Sequence, residues 1–201
     1  MKTIDIILNG AIFLVTLILL LRHTRQDGIR TPDRLKKAFR YFTCQSNVLC
    51  AVAALLTAVS MIAGDVPEWI RMLKYAGTVS VTVTMLTVFL FLAPSIGKGW
   101  FGALLKGPSN LFMHLITPLA AIVSFCVFEK RGMSFPQSLW GLAPLAVYGQ
   151  HYIYRIRYAP EGKRWDDFYG FNRQGKWPAA FGIMLIATFG LCMLFMLAQN
   201  A

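Results

Sequence analysis

Six apolar runs, each near the length of a bilayer crossing, dominate the chain and leave little polar sequence for anything else. A helix through the hydrocarbon core needs about 20 apolar residues. The runs fall at 4–21, 41–63, 73–93, 108–128, 136–155 and 177–198. Together they take up most of the 201 residues, so residues 1–201 read as a single integral-membrane domain. The expected fold is an all-α, polytopic bundle of six transmembrane helices. Charged residues make up 14% of the chain, against roughly 25% in soluble domains, and that deficit excludes an ordinary water-facing surface. The first run, Ile4 to Leu21, is longer than a signal-peptide core. It is followed by Arg22-His23-Thr24-Arg25 with no small-residue cleavage site, so it is expected to remain as a span.

Basic residues set the orientation. Lys and Arg number 20 against 9 acids, for a net charge of +11. Segments 22–40, 94–107 and 155–176 hold 15 of the 20, and Lys2, Arg71, Lys74, Lys130 and Arg131 fall on the other side. Positive residues are retained on the cytoplasmic face, so the basic loops 22–40 and 155–176 are expected there, with both termini outside. Because the basic residues flank apolar runs, they read as topology and headgroup contacts, and no nucleic-acid partner is expected. Cys44, Cys50, Cys126 and Cys192 lie inside apolar runs with no zinc or redox spacing, and read as small buried side chains.

Polar side chains inside a span are costly and gather where a bundle has work to do. The second run opens Tyr41-Phe42-Thr43-Cys44-Gln45-Ser46-Asn47, with Thr43 and Asn47 one turn apart and Ser46 beside them. Each alone could be a helix start or interhelical glue; together they suggest a site. In the fourth run, Asn110, His114 and Thr117 share a face, and Pro118 removes the donor that would pair with the His114 carbonyl. At the end of the fifth run, Tyr148 and Tyr152 are candidates for a cavity wall, while Tyr154 and Arg155 read as an interfacial belt. The alternation of spans brings all of these to the cytoplasmic half.

Such a cluster could carry acyl transfer. A threonine hydroxyl becomes a nucleophile when a base takes its proton, and histidine is the usual base near neutral pH. Thr43 and His114 are the candidate catalytic pair. Ser46, Asn47, Asn110, Tyr148 and Tyr152 are candidates for binding substrate, orienting the imidazole or donating to an oxyanion. No carboxylate lies beside His114 within a span; only Asp166 and Asp167, in the loop before the last run, could fold back over the cluster. Three histidines with no HxxxH or HExxH spacing suggest no metal site. No phosphate-binding glycine motif is present, no cofactor is expected, and no ionisable residue falls at mid-span where a proton-coupled carrier needs one.

At Tyr41-Phe42-Thr43-Cys44-Gln45-Ser46-Asn47 and His114-Leu115-Ile116-Thr117-Pro118 the chain resembles a bacterial member of the androgen-induced-gene family of multi-span membrane proteins. Animal members are threonine hydrolases that cleave fatty-acid esters of hydroxy fatty acids. The resemblance implies Thr43 as nucleophile, His114 as its base, a fatty-acyl ester from the membrane as substrate, and a bacterial cell membrane as location. It carries no role for Asn47, Asn110 or the tyrosines. The competing expectation is a non-catalytic lipid-binding or transport protein whose polar pocket holds a headgroup; a third is a scaffold whose polar groups only join helices.

Overall fold

Backbone amides in an apolar run have no water to pair with, so they pair within the run, as helix. The structure, a computed structural model, describes residues 1–23, 25, 26, 29, 30 and 32–201. Asp27 lies outside the described residues, as do the side chains of Arg25 and Arg30 in the basic 22–40 segment. Among the described residues the main helices are, in order, α1 (Lys2–His23), α2 (Pro32–Ala38), α3 (Phe42–Ala63), α4 (Glu68–Ile96), α5 (Trp100–Leu104), α6 (Pro108–Phe128), α7 (135–158) and α8 (Trp177–Asn200). A two-residue antiparallel pairing, Arg25–Gln26 with Ile29–Arg30, sits between α1 and α2.

Five of these helices, α1, α3, α4, α6 and α8, are long and apolar enough to cross a membrane. The sixth run is also helical, but it differs in kind. α7 passes from a short α-helical turn through a 3₁₀ stretch at Leu139–Leu142 before settling into α-helix at Ala143–Ile153. Gln137, Ser138, Gln150, His151 and Arg155 dilute its apolar character. The third span also starts earlier than the hydropathy of 73–93 suggests, at Glu68, which draws Arg71 into helix.

The interior mixes an apolar core with buried polar side chains, and large apolar side chains cover the outside. Ile7, Leu14, Ile62, Leu90, Ile186 and Leu194 are exposed, whereas Asn9, Asn47, Lys74, Thr78 and Ser124 are buried. Apolar side chains facing outward around buried polar groups are what lipid as solvent selects. α4 is the central post, packed against α3, α6, α7 and α8. Its hydroxyls are satisfied within the helix: Thr78 bonds the Lys74 carbonyl at 2.9 Å, Ser80 that of Ala76 at 2.7 Å and Thr82 that of Thr78 at 2.7 Å. Gly77 lets α3 approach, because a Cβ there would stand 2.8 Å from the Cys50 Cα.

Four helical stretches widen to i→i−5 pairing, at Val88–Leu92, Phe112–Ile116, Ser124–Phe128 and Tyr154–Tyr158. Three of them end two residues before a proline, at Pro94, Pro118 and Pro160. Proline has no N–H to give to the preceding turn, and the wide turn is the local response. This moves the expected orphan at Pro118. In the wide register Thr117 N–H reaches the Phe112 carbonyl, so Pro118 stands opposite Met113 rather than His114. Asn47 Nδ2 supplies the missing donor to the Met113 carbonyl, at 3.2 Å.

Two polar ends result. At one lie the starts of α3, α6 and α8, the end of α7 and the loop 159–176. At the other lie the start of α1, the α3–α4 turn, the end of α6 and the C-terminus of α8. α7 runs between them: the Tyr75 hydroxyl donates to the Ser138 carbonyl near its start, and the Tyr148 hydroxyl to the Arg40 carbonyl near its end.

Candidate active site

The first turn of α3 is fixed from outside by two tyrosines. Helix starts leave unpaired N–H groups, and Tyr41 offers no capping side chain. The Phe42 N–H instead donates to the Tyr169 hydroxyl at 3.0 Å, and Tyr148 holds the Arg40 carbonyl at 2.7 Å. Burial pushes the Tyr169 phenol up to about 12, so it stays neutral near pH 7. Thr43 is therefore placed by groups that act on its neighbours.

Asp167 pins the loop that carries Tyr169. It accepts from the Tyr152 hydroxyl at 2.9 Å, Phe171 N–H at 2.9 Å and Asn172 N–H at 2.7 Å. The aromatic rings of Tyr148, Tyr152, Phe168, Tyr169 and Phe171 close over this end of the bundle. The loop does fold back, but Asp167 is spent on its own turn and on Tyr152. Asp166 makes no hydrogen bond to Thr43 or His114.

Thr43 is half-buried, and its hydroxyl has no hydrogen-bond partner among the described residues. It borders two cavities. One, of about 280 Å³, lies between α1, α2, α3 and α6, and is lined by Thr43, Cys44, Ser109, Asn110, Met113 and His114, with Leu19 and Leu20 as an apolar wall and exposed Lys37 at its rim. The other, of about 50 Å³, is apolar, lined by Phe42, Val83, Val88, Leu145, Tyr148 and Phe181. It shares the side chains of Tyr169, Phe171 and Met184 with a larger cleft of about 450 Å³ that Arg173 and Ser95 border.

His114 comes with its tautomer set. The last carbonyls of a helix lack partners, and the Leu104 carbonyl ending α5 lies 2.8 Å from His114 Nδ1. A carbonyl only accepts, so Nδ1 carries the proton and Nε2 keeps its lone pair. A backbone oxygen thus orients the imidazole, the task the sequence left without a carboxylate. No hydrogen bond joins Thr43 to His114 directly among the described residues.

The other candidates divide. Asn110 lines the Thr43–His114 cavity. Asn47 is buried just beneath, and its two amide hydrogens are taken by the carbonyls of Thr43, at 2.8 Å, and Met113, at 3.2 Å. It is a strut holding the turn of Thr43 against the residue before His114, with no hydrogen left for an oxyanion; its buried Oδ1 has no partner among the described residues. Ser46 points away, to Thr84 at 2.9 Å and the Thr43 carbonyl at 3.1 Å. Tyr148 walls the apolar cavity. Tyr152 is fully buried, its hydroxyl occupied by Asp167 and the Tyr169 N–H. Leu104 and Tyr169, which orient His114 and Thr43, had no signal in local sequence; each acts from a connecting segment.

Among the described residues no group of three His, Cys, Asp or Glu side chains is placed to hold a metal ion. No family model, curated protein or solved structure matches the chain.

Proposed function

We propose that the chain is a membrane-embedded hydrolase of lipid-like carboxylic esters, with Thr43 as nucleophile and His114 as base. The observation that carries this reading is the shared cavity: an unpaired threonine hydroxyl and a histidine with a bare Nε2 border one space, next to a second, apolar one. The apolar space, at about 50 Å³, has room only for the first methylenes of an acyl chain, and an ester entering sideways from the bilayer would bring its carbonyl to Thr43 with the rest of the chain outside that space.

In this reading Thr43 Oγ attacks the ester carbonyl carbon as its proton passes to His114 Nε2. Collapse of the tetrahedral intermediate breaks the bond to the alkoxy oxygen, which takes the proton from His114. Water then attacks the acyl-threonine, again giving its proton to His114, and the fatty acid leaves with Thr43 restored. Asn110, the amide facing the cavity, donates to the oxyanion. The resemblance to the androgen-induced-gene family points to the same pair and to fatty-acid esters of hydroxy fatty acids.

The topology belongs to the same proposal. With about 1.5 Å per residue, 135–158 is about 36 Å long, enough to serve as a sixth crossing. Segments 22–40 and 155–176 then lie on the cytoplasmic face of a bacterial cell membrane, with both termini outside. The missing Thr43–His114 hydrogen bond favours one second reading, a lipid-binding protein whose cavities hold a headgroup and chain without chemistry. Turnover of a fatty-acyl ester by purified protein separates the two. Loss of turnover in both Thr43→Ala and His114→Ala supports the hydrolase; turnover unchanged in either, or absent from the wild type, removes it.

A further inference from the structure

At the end of the bundle away from Thr43, Asp5, Asn9, Lys74 and Ser124 are fully buried and Glu129 nearly so. Lys74 Nζ donates to Asn9 Oδ1 and to Ser124 Oγ at 3.1 Å, and it forms an ion pair with Glu129 Oε1 at 3.4 Å. Asn9 Nδ2 reaches the Asp5 carbonyl at 3.0 Å and Asp5 Oδ1 at 3.1 Å. Ser124 Oγ lies 2.7 Å from Asp5 Oδ1 and 2.7 Å from Glu129 Oε1. A hydroxyl has one hydrogen. It can donate to one of these oxygens, and the other can sit at that distance only by donating to it. One carboxyl in the cluster must therefore carry a proton.

Charge balance asks for the same thing. Arg71, Lys130 and Arg131 border Glu129 only at its cleft; within the enclosed cluster itself, two carboxylates against one ammonium would leave a net negative charge, whereas one acid, one carboxylate and Lys74 sum to zero. Glu129 is the ion-pair partner of Lys74, and it also borders a small cleft of about 50 Å³ lined by Arg71, Lys130 and Arg131. Asp5 is fully buried, and among the described residues its Oδ2 has no hydrogen-bond partner. That vacancy costs less on the carbonyl oxygen of an acid than on half of a carboxylate.

We propose that Asp5, Ser124 and Glu129 form a proton-binding site inside the bundle, with the proton held on Asp5 near neutral pH and exchanging through Ser124 with the aqueous cleft at Glu129. The path balances. Asp5 Oδ1–H passes its proton to Ser124 Oγ as Ser124 passes its own to Glu129 Oε1, and Glu129 releases that proton to water. The other ionisable groups facing the site are Lys74 and Arg71 from α4, the Cys50 thiol from α3, the Cys126 thiol from α6, and Lys130 and Arg131 just beyond α6. Deprotonation would leave α1 anchored by a site of net negative charge, so the bound proton couples acidity at that face to the seating of α1. This inference is independent of the hydrolase reading.

Infrared spectroscopy of the full chain in an ester-free detergent near pH 7 tests it. A protonated carboxyl gives a C=O band distinct from ionised carboxylates that moves in D₂O. The folded wild type should show such a band, it should shift when aspartate is carboxyl-labelled with heavy carbon, and it should be absent from Asp5→Asn. Were Asp5→Asn not to fold, the aspartate label on the wild type decides alone. No acid band in the folded wild type, a band indifferent to labelled aspartate or to D₂O, or one that survives in folded Asp5→Asn would overturn the proposal.

Discussion

The two polar ends of this bundle handle the same problem in opposite ways. At the Lys74 end the buried groups answer one another: Lys74, Asn9, Ser124, Asp5 and Glu129 bond mainly within their own set. At the Thr43 end the backbone is held as firmly, by Asn47, Tyr148, Tyr169 and the Leu104–His114 pair, but the Thr43 hydroxyl and His114 Nε2 are left open to a cavity. A saturated polar cluster rigidifies and specifies a packing. Open valence in a fixed frame is what a reacting or binding site requires. The contrast is the reason the proposed ester chemistry is assigned to the Thr43 end, although the other end is the more strongly polar.

Substitutions should separate the ends by which property they damage. The largest expected effect is on activity: Thr43→Ala should lower ester turnover by about 10³-fold or more, with thermal stability almost unchanged because the hydroxyl bonds nothing. Melting curves and initial rates on the same preparation check both halves. Lys74→Met should do the reverse. Removing one partner of a buried ion pair costs about 3–5 kcal/mol, read as a large fall in melting temperature, with the surviving folded fraction still turning over substrate.

Asn47→Ala sits between these. It strips buried carbonyls of Thr43 and Met113 of a donor, at about 1–3 kcal/mol, and loosens the tie between the Thr43 turn and the residue before His114. Both stability and kcat should fall, and a fall in stability alone would show that Asn47 does not set the geometry of the pair. Tyr169→Phe is the mildest, removing the acceptor for the Phe42 N–H at about 1 kcal/mol. Its pH signature is specific. The folded phenol titrates at about 12 against an ordinary value of 10.0, so the folded state holds its proton after the unfolded chain has lost it. Stability should therefore decline as pH rises from about 10 to about 12, and less steeply in the variant than in the wild type.

Much of this was legible in the sequence. Runs of about 20 apolar residues mark spans directly, and five of six became helices long and apolar enough to cross a membrane. Thr43, Asn110 and His114 could be placed near one another because each lies near a span end and span direction alternates. What escaped was set by partners far along the chain. Lys74 reads as a near-loop charge in a hydropathy window, yet its bonds reach Asn9 and Ser124, 65 and 50 residues away. Asp5 looks like an ordinary acidic first turn until Ser124 comes to it from 119 residues away. The wide turns before Pro94, Pro118 and Pro160 shift a helix by one carbonyl, so the orphan at Pro118 fell on Met113, a displacement that ideal helical spacing cannot anticipate. α7 was recognised as helix by its length, while its 3₁₀ stretch and polar content were averaged away.

The central claim is that Thr43 is the open nucleophile of this bundle, and covalent capture tests it most directly. Purified protein treated with a fluorophosphonate probe, digested and mapped by mass spectrometry should carry the adduct on the peptide containing Thr43. Labelling should disappear in Thr43→Ala and slow strongly in His114→Ala. An adduct on another residue, or undiminished labelling of folded Thr43→Ala, would contradict it.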